Sequence, residues 1–184
     1  MQPIPLFLDI DGVFSIKHEH LPKEHISGLS AHPIPMCNAL LRLIDADPIL
    51  RPLWLSSWGE QSVAWNKRAG TQKWPVAYPL DPQDAVRAER KFGVELHHNK
   101  PDEKLIAVWW YMQLQDQDTP LIWMEDGFAP ETILWAHERG NVRLIDTRNP
   151  QILAALTQKC AGQDECVQVA RKFMAQWIDA KVSV

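Results

Sequence analysis

Leu6-Phe7-Leu8-Asp9-Ile10-Asp11-Gly12-Val13 decides how the rest of the chain is understood. Leu6 to Ile10 is a short apolar run broken only by Asp9, and Asp11-Gly12 stops it. Such a run predicts a buried strand ended by a turn. In a strand, residues i and i+2 point to the same side. Asp9 and Asp11 are therefore expected to face one pocket, where two carboxylates repel each other unless a cation or a shared proton intervenes.

Two later runs end in the same manner. Leu53-Trp54-Leu55 stops at Ser56-Ser57, and Leu121-Ile122-Trp123-Met124 stops at Glu125-Asp126-Gly127. A further strand is predicted over 142–145, ended by Asp146, and another over 74–80. Helical spacing or helix-start residues mark 36–46, 59–69, 82–92, 101–115, 130–139, 150–157 and 164–180. Pro101 and Pro130 stand where a first helical turn tolerates proline. Residues 14–35 have no clear period and predict a loop, with a small hairpin near 14–16. Short apolar strands alternating with helices predict an α/β, three-layer, Rossmann-like domain with a mainly parallel sheet. Ligands of such sheets bind beyond the carboxyl ends of the strands, where these polar groups lie.

Composition narrows the classes. The chain has 184 residues, 46% apolar and 23% charged, which suits one globular domain over 1–184 with a real core. A net charge of −4 does not advertise nucleic-acid or membrane-surface binding. No segment reaches the roughly 18 apolar residues of a membrane span, and the N-terminal residues do not form a signal peptide. The three cysteines, Cys37, Cys160 and Cys166, include no C-x-x-C pair, so free thiols in a reducing compartment are expected. Together these predict a cytoplasmic protein. Nine tryptophans are many for this length. Trp54, Trp109, Trp110, Trp123 and Trp135 lie in apolar stretches and are expected to fill the core.

Four acidic groups, Asp9, Asp11, Glu125 and Asp126, at strand ends call for a hard divalent cation. Mg²⁺ suits carboxylate and water ligands with a substrate phosphate. An EF-hand calcium loop is excluded, because Gly12 follows Asp11 directly and a strand precedes it. His18, His20, His25 and His32 crowd the early loop, but no further ligand is spaced to make a zinc site with them. Gly-x-Gly-x-x-Gly, P-loop and Gly-x-Ser-x-Gly motifs are missing from the sequence.

The ordered set resembles the haloacid dehalogenase superfamily. Residues 6–13 are similar to its first motif, hhhDxDGV. Leu53–Ser56 resembles its second motif, and Leu121–Asp126 its fourth. The resemblance implies a Mg²⁺-dependent phosphatase in which Asp9 is the nucleophile and Asp11 the general acid and base. It implies that Ser56 bonds a phosphoryl oxygen. It also implies that Asp126, with Glu125, holds the metal together with Asp9 and the backbone carbonyl of Asp11. The family lysine falls on Lys104, which begins Lys-Leu-Ile-Ala-Val, or on Lys100, which precedes Pro101; Lys104 is slightly favoured. Gly12, Ser57 and Trp58 are expected to line the substrate side, with Ser57 equally suited to capping a helix and Trp58 to core packing. The segments between motifs are too short for a large cap domain. An open site suits a phosphorylated small molecule or a macromolecular end, or closure by a partner subunit in a homo-oligomer. The alternatives to a metabolite phosphatase are an end-phosphatase in nucleic-acid processing or repair and a non-catalytic binding module.

Overall fold

The computed structural model describes residues 2–17, 31–92 and 102–178. Five strands form its central sheet: β1 (Ile4–Leu8), β4 (Leu50–Leu55), β5 (Val76–Tyr78), β6 (Leu121–Glu125) and β7 (Val142–Asp146). Their order is β5-β4-β1-β6-β7 and every pair is parallel. β1 is thus the central strand, with β4 on one side and β6 on the other. A separate two-stranded antiparallel ribbon, β2 (Ser15–Lys17) and β3 (Ala31–Pro33), stands between β1 and the first helix. The hairpin expected near 14–16 is one strand of this ribbon. Among the described residues there is no cap domain.

Helices cover both faces. They are α1 (Cys37–Ala46), α2 (Val63–Ala69), α3 (Pro82–Phe92), α4 (Glu103–Met112), α5 (Pro130–Arg139), α6 (Pro150–Leu156) and α7 (Gln163–Phe173). Alternation along β1 sorts the two cores. Leu6 and Leu8 pack with Leu40, Ile44, Trp54 and Phe173 on one face. Phe7 packs with Leu105, Val108 and Trp123 on the other. Strands apolar on both sides are what a three-layer α/β sandwich requires, so the Rossmann-like fold class predicted from the sequence is the observed one.

Several boundaries move for identifiable reasons. The strand expected over 74–80 shortens to three residues, and its pairing with β4 shifts register between Trp54 and Leu55. Pro75 and Pro79 bracket it, and a proline lacks the N–H a ladder needs. The helix expected over 101–115 starts at Glu103, capped by Asp102, whose Oδ1 accepts the Lys104 N–H at 3.0 Å. Pro101 lies outside the described residues. Residues 59–69 begin as a 3-10 turn (Gly59–Ser62) before α2, and α7 runs into a π-helical turn over Met174–Ile178.

Two expectations are corrected. Cys160 and Cys166 are disulfide-bonded, with Cα atoms 5.2 Å apart. The chain between them turns at Gly162 into α7 and brings the two sulfurs together, although no short Cys spacing announces the pair. The cysteine count therefore no longer argues for a reducing compartment. Cys37 is free and buried, and burial pushes its thiol up to about 12 against the opposing pull of Arg68. Second, only some of the tryptophans fill the core. Trp54 and Trp123 are fully buried, whereas Trp109, Trp110 and Trp135 are half-buried. Lys91 lies 5.4 Å over the Trp110 ring and Arg139 5.8 Å over that of Trp135, so cations cover their open faces. Among the described residues, no helix is long and apolar enough to cross a membrane.

A buried indole needs an acceptor for its N–H. Trp54 donates to Asn66 Oδ1 at 2.7 Å, and Asn66 is itself buried and donates to Thr71 Oγ1 at 2.9 Å. Asn66→Ala strands the Trp54 N–H without a partner. Urea unfolding is expected to show a loss of roughly 1–3 kcal/mol. A loss too small to measure would mean that Trp54 finds another acceptor.

Candidate active site

Asp9 sits one residue beyond β1, and its N–H still donates to the Met124 carbonyl of β6 at 3.1 Å. That bond fixes the Asp9 backbone against the end of β6, where Glu125 and Asp126 lie. Carboxylate oxygens of Asp9, Glu125 and Asp126 all fall within 4.8 Å of one another. Asp9 and Glu125 are buried, at 4% and 5% exposure, and Asp126 is exposed.

A buried ion must be paired. The pairing group is Lys104, delivered from the first turn of α4. Its Nζ lies 2.6 Å from Glu125 Oε1 and 3.0 Å from Asp9 Oδ2. The other oxygen of Glu125 accepts from Trp123 Nε1 at 3.3 Å. The Asp102 cap that starts α4 also accepts from Thr132 Oγ1 at 2.8 Å, which ties α4 to α5. Lys104, one of the two lysines singled out in the sequence, is joined to Asp9; Lys100 lies outside the described residues, as do His18, His20 and His25.

Electrostatics follow from this crowding. Burial is the largest influence on Glu125 and pushes its carboxyl up. The Asp9 charge and a hydrogen bond with Asp9 add to this and Lys104 opposes it, leaving the group at about 9. Burial works against the Lys104 ammonium, but Glu125 and Asp9 overcome it, so Lys104 is raised above its ordinary value. The three converging carboxyl groups offer hard oxygen donors beside a single ammonium. That set could hold a hard divalent cation.

The chain after Asp9 is a tight turn rather than an extended strand. The Ile10 carbonyl accepts the N–H groups of Val13, Phe14 and Ser15 at 3.2, 2.9 and 2.9 Å, and the Gly12 N–H donates to the Ser15 carbonyl at 2.7 Å. The Asp11 carboxyl is not part of the three-acid cluster; its Oδ2 accepts from Trp58 Nε1 at 2.9 Å. Gly12 has a φ of 74°, and a β-carbon there would overlap the Asp126 side chain. Only glycine meets both conditions at no cost, so Gly12 serves the close approach of the two loops.

Ser56 follows β4, is fully buried, and its Oγ accepts weakly from the Trp58 N–H at 3.5 Å. Ser57 is exposed on the same turn. Trp58 is 38% exposed, which removes it from the core. One residue that sequence reasoning missed is Thr147. Its Oγ1 donates to the Gly12 carbonyl at 2.8 Å and lies 3.3 Å from the Glu125 carbonyl, and its N–H donates to Glu125 at 2.9 Å. It clasps the loops after β1 and β6. Its place one residue past the end of β7, beside Asp146, gives no sign in the sequence of these bonds.

The raised Glu125 predicts a pH-dependent stability. Below its ordinary value of 4.5, folded and unfolded chains both carry the proton. Between 4.5 and about 9 only the unfolded chain has released it, so this group increasingly disfavours folding as pH rises. In EDTA, the stability of the wild type relative to Glu125→Gln is expected to fall from pH 5 to pH 9 in urea titrations. A difference that does not vary with pH would contradict the burial assigned to Glu125. Against known proteins, the chain matches no protein-family model, no curated protein and no solved structure.

Proposed function

We propose that this chain is a Mg²⁺-dependent phosphohydrolase, a phosphomonoester phosphatase of the haloacid dehalogenase type, working through an aspartyl-phosphate on Asp9. The observation that carries the proposal is Lys104 bonded to both Asp9 and Glu125 at the mouth of a three-carboxylate cluster. Transfer of a phosphoryl group to a carboxylate brings two anions together, and positioned cations must offset their repulsion. A resting carboxylate gripped by an ammonium, with oxygen donors for a cation beside it, meets that requirement.

Each residue then has a duty. An Asp9 oxygen attacks phosphorus and a P–O ester bond breaks. Asp11 gives its proton to the departing oxygen. A water then attacks the Asp9-bound phosphorus and Asp11 takes its proton, which frees Asp9 and releases inorganic phosphate. Lys104 pairs with phosphoryl oxygens as they replace Glu125 and Asp9 around it. Ser56 offers a hydroxyl to the same oxygens. Asp9, Asp126, the Asp11 carbonyl and Glu125 are the groups that would hold Mg²⁺. When bound, the ion supplies charge neutralisation at the transferring phosphoryl group. The separation of Asp11 from the acid cluster supports distinct roles for the two aspartates, because a group kept off the cation remains available for a proton.

Hydrolysis of an aryl phosphate should need Mg²⁺ and stop with EDTA. Asp9→Asn should reduce turnover to background without lowering the thermal midpoint; activity surviving in it would refute the nucleophile assignment. Lys104→Met should lower kcat/KM by about 10²–10³-fold, and Lys100→Met should leave it near the wild-type value. The reverse order would move the lysine role to Lys100.

A further inference from the structure

Trp58 is a large aromatic residue, partly exposed, and yet it is held from three sides. Its backbone lies in a turn closed by the Gly59 N–H donating to the Ser56 carbonyl at 3.0 Å. Gly59 follows with a φ of 53°, and a β-carbon there would come within 3.2 Å of Pro79. The Trp58 ring meets Trp65 edge-on, with centroids 6.1 Å apart. The result of this placement is one polar contact: the indole N–H on Asp11 Oδ2 at 2.9 Å. Asp11 comes from the loop after β1 and Trp58 from the loop after β4, so the bond joins two neighbouring strand ends.

An indole is a donor only. It can occupy one oxygen of a carboxyl in either protonation state and cannot itself take or give the catalytic proton. Bonded through Oδ2, it leaves Oδ1 to carry the proton and fixes the rotamer that aims it. From this geometry we infer that Trp58 is a positioning residue for Asp11, orienting its carboxyl for proton transfer to the leaving group. This rests on the phosphohydrolase reading above. It goes beyond that reading by giving a role to a residue that touches no metal and no phosphoryl oxygen in it.

A structural role and a positioning role differ in which substrates suffer. A poor leaving group, such as the alkoxide of an alkyl phosphate, needs protonation as it departs. A good one, such as the nitrophenolate of an aryl phosphate, needs little. Trp58→Phe keeps an aromatic ring, smaller than the indole, and removes the N–H. With Mg²⁺ it should lower kcat on an alkyl phosphate by about 10- to 100-fold, a share of the 10²–10⁴ that general acids supply. It should change kcat on 4-nitrophenyl phosphate by no more than about threefold and leave the thermal midpoint in place. In an Asp11→Asn background, Trp58→Phe should cost nothing further, as expected of two residues acting as one unit. Equal losses on both substrates, no loss on either, or an undiminished loss in the Asp11→Asn background would each overturn the inference while leaving the phosphatase reading intact. A readout independent of turnover completes the test. The indole N–H resonance that vanishes in Trp58→Phe should be one that moves in Asp11→Asn; if it stays still, the contact is not made in solution and the inference falls. A wild-type protein without Mg²⁺-dependent phosphatase activity would overturn the reading beneath it, and the positioning role with it.

Discussion

Everything at the mouth of the sheet depends on how two nearly buried carboxyls, Asp9 and Glu125, are kept in place. Uncompensated, their burial would be prohibitive. Lys104 answers that cost with one ammonium shared between them. The geometry around it is arranged to deliver this group. Asp102 caps α4 so that Lys104 falls in the first turn, and Thr132 holds the cap. Trp123 takes up the remaining oxygen of Glu125. Even so, three acids converge on one ammonium, and their oxygens form a cluster that could hold a metal ion.

The architecture was legible in the sequence to the extent that it rests on apolar runs and their punctuation. β1, β4, β6 and β7 are short, carry apolar runs interrupted in β4 by Arg51 and in β7 by Arg143, and end at Asp, Ser or Glu, and the parallel sheet follows from them. Pairing order is not written in such runs, and β5 was overextended because Trp74–Leu80 is apolar while its prolines, not its hydrophobicity, set its length. The disulfide was missed for a related reason: the six-residue spacing of Cys160 and Cys166 becomes a contact only once the chain turns into α7.

The candidate site divides in the same way. Asp9, Glu125, Asp126 and the buried Ser56 could be picked out because each ends an apolar run. The sequence favoured Lys104 over Lys100 only slightly, since both precede or begin the same helix; the contact of Lys104 with Asp9 and Glu125 is visible only in three dimensions. After Asp9 the chain leaves the strand for a turn in which three N–H groups converge on the Ile10 carbonyl, and the Asp11 carboxyl bonds Trp58 without joining the three-acid cluster. Thr147 was invisible because hydroxyls bonded to distant carbonyls leave no periodic trace.

The Thr147 clasp has a temporal consequence. Its hydroxyl reaches a carbonyl 135 residues earlier in the chain. During synthesis β1 can be joined by β4 soon after both emerge, but its other edge stays open until β6 arrives, and the loops cannot be locked until β7 follows. An unpaired central strand is a template for association with other chains. Lys104 is made before β6, and Glu125 is the last residue of β6 itself. Until β6 is made, the open edge of β1 is the part of the half-built sheet with which another chain could pair.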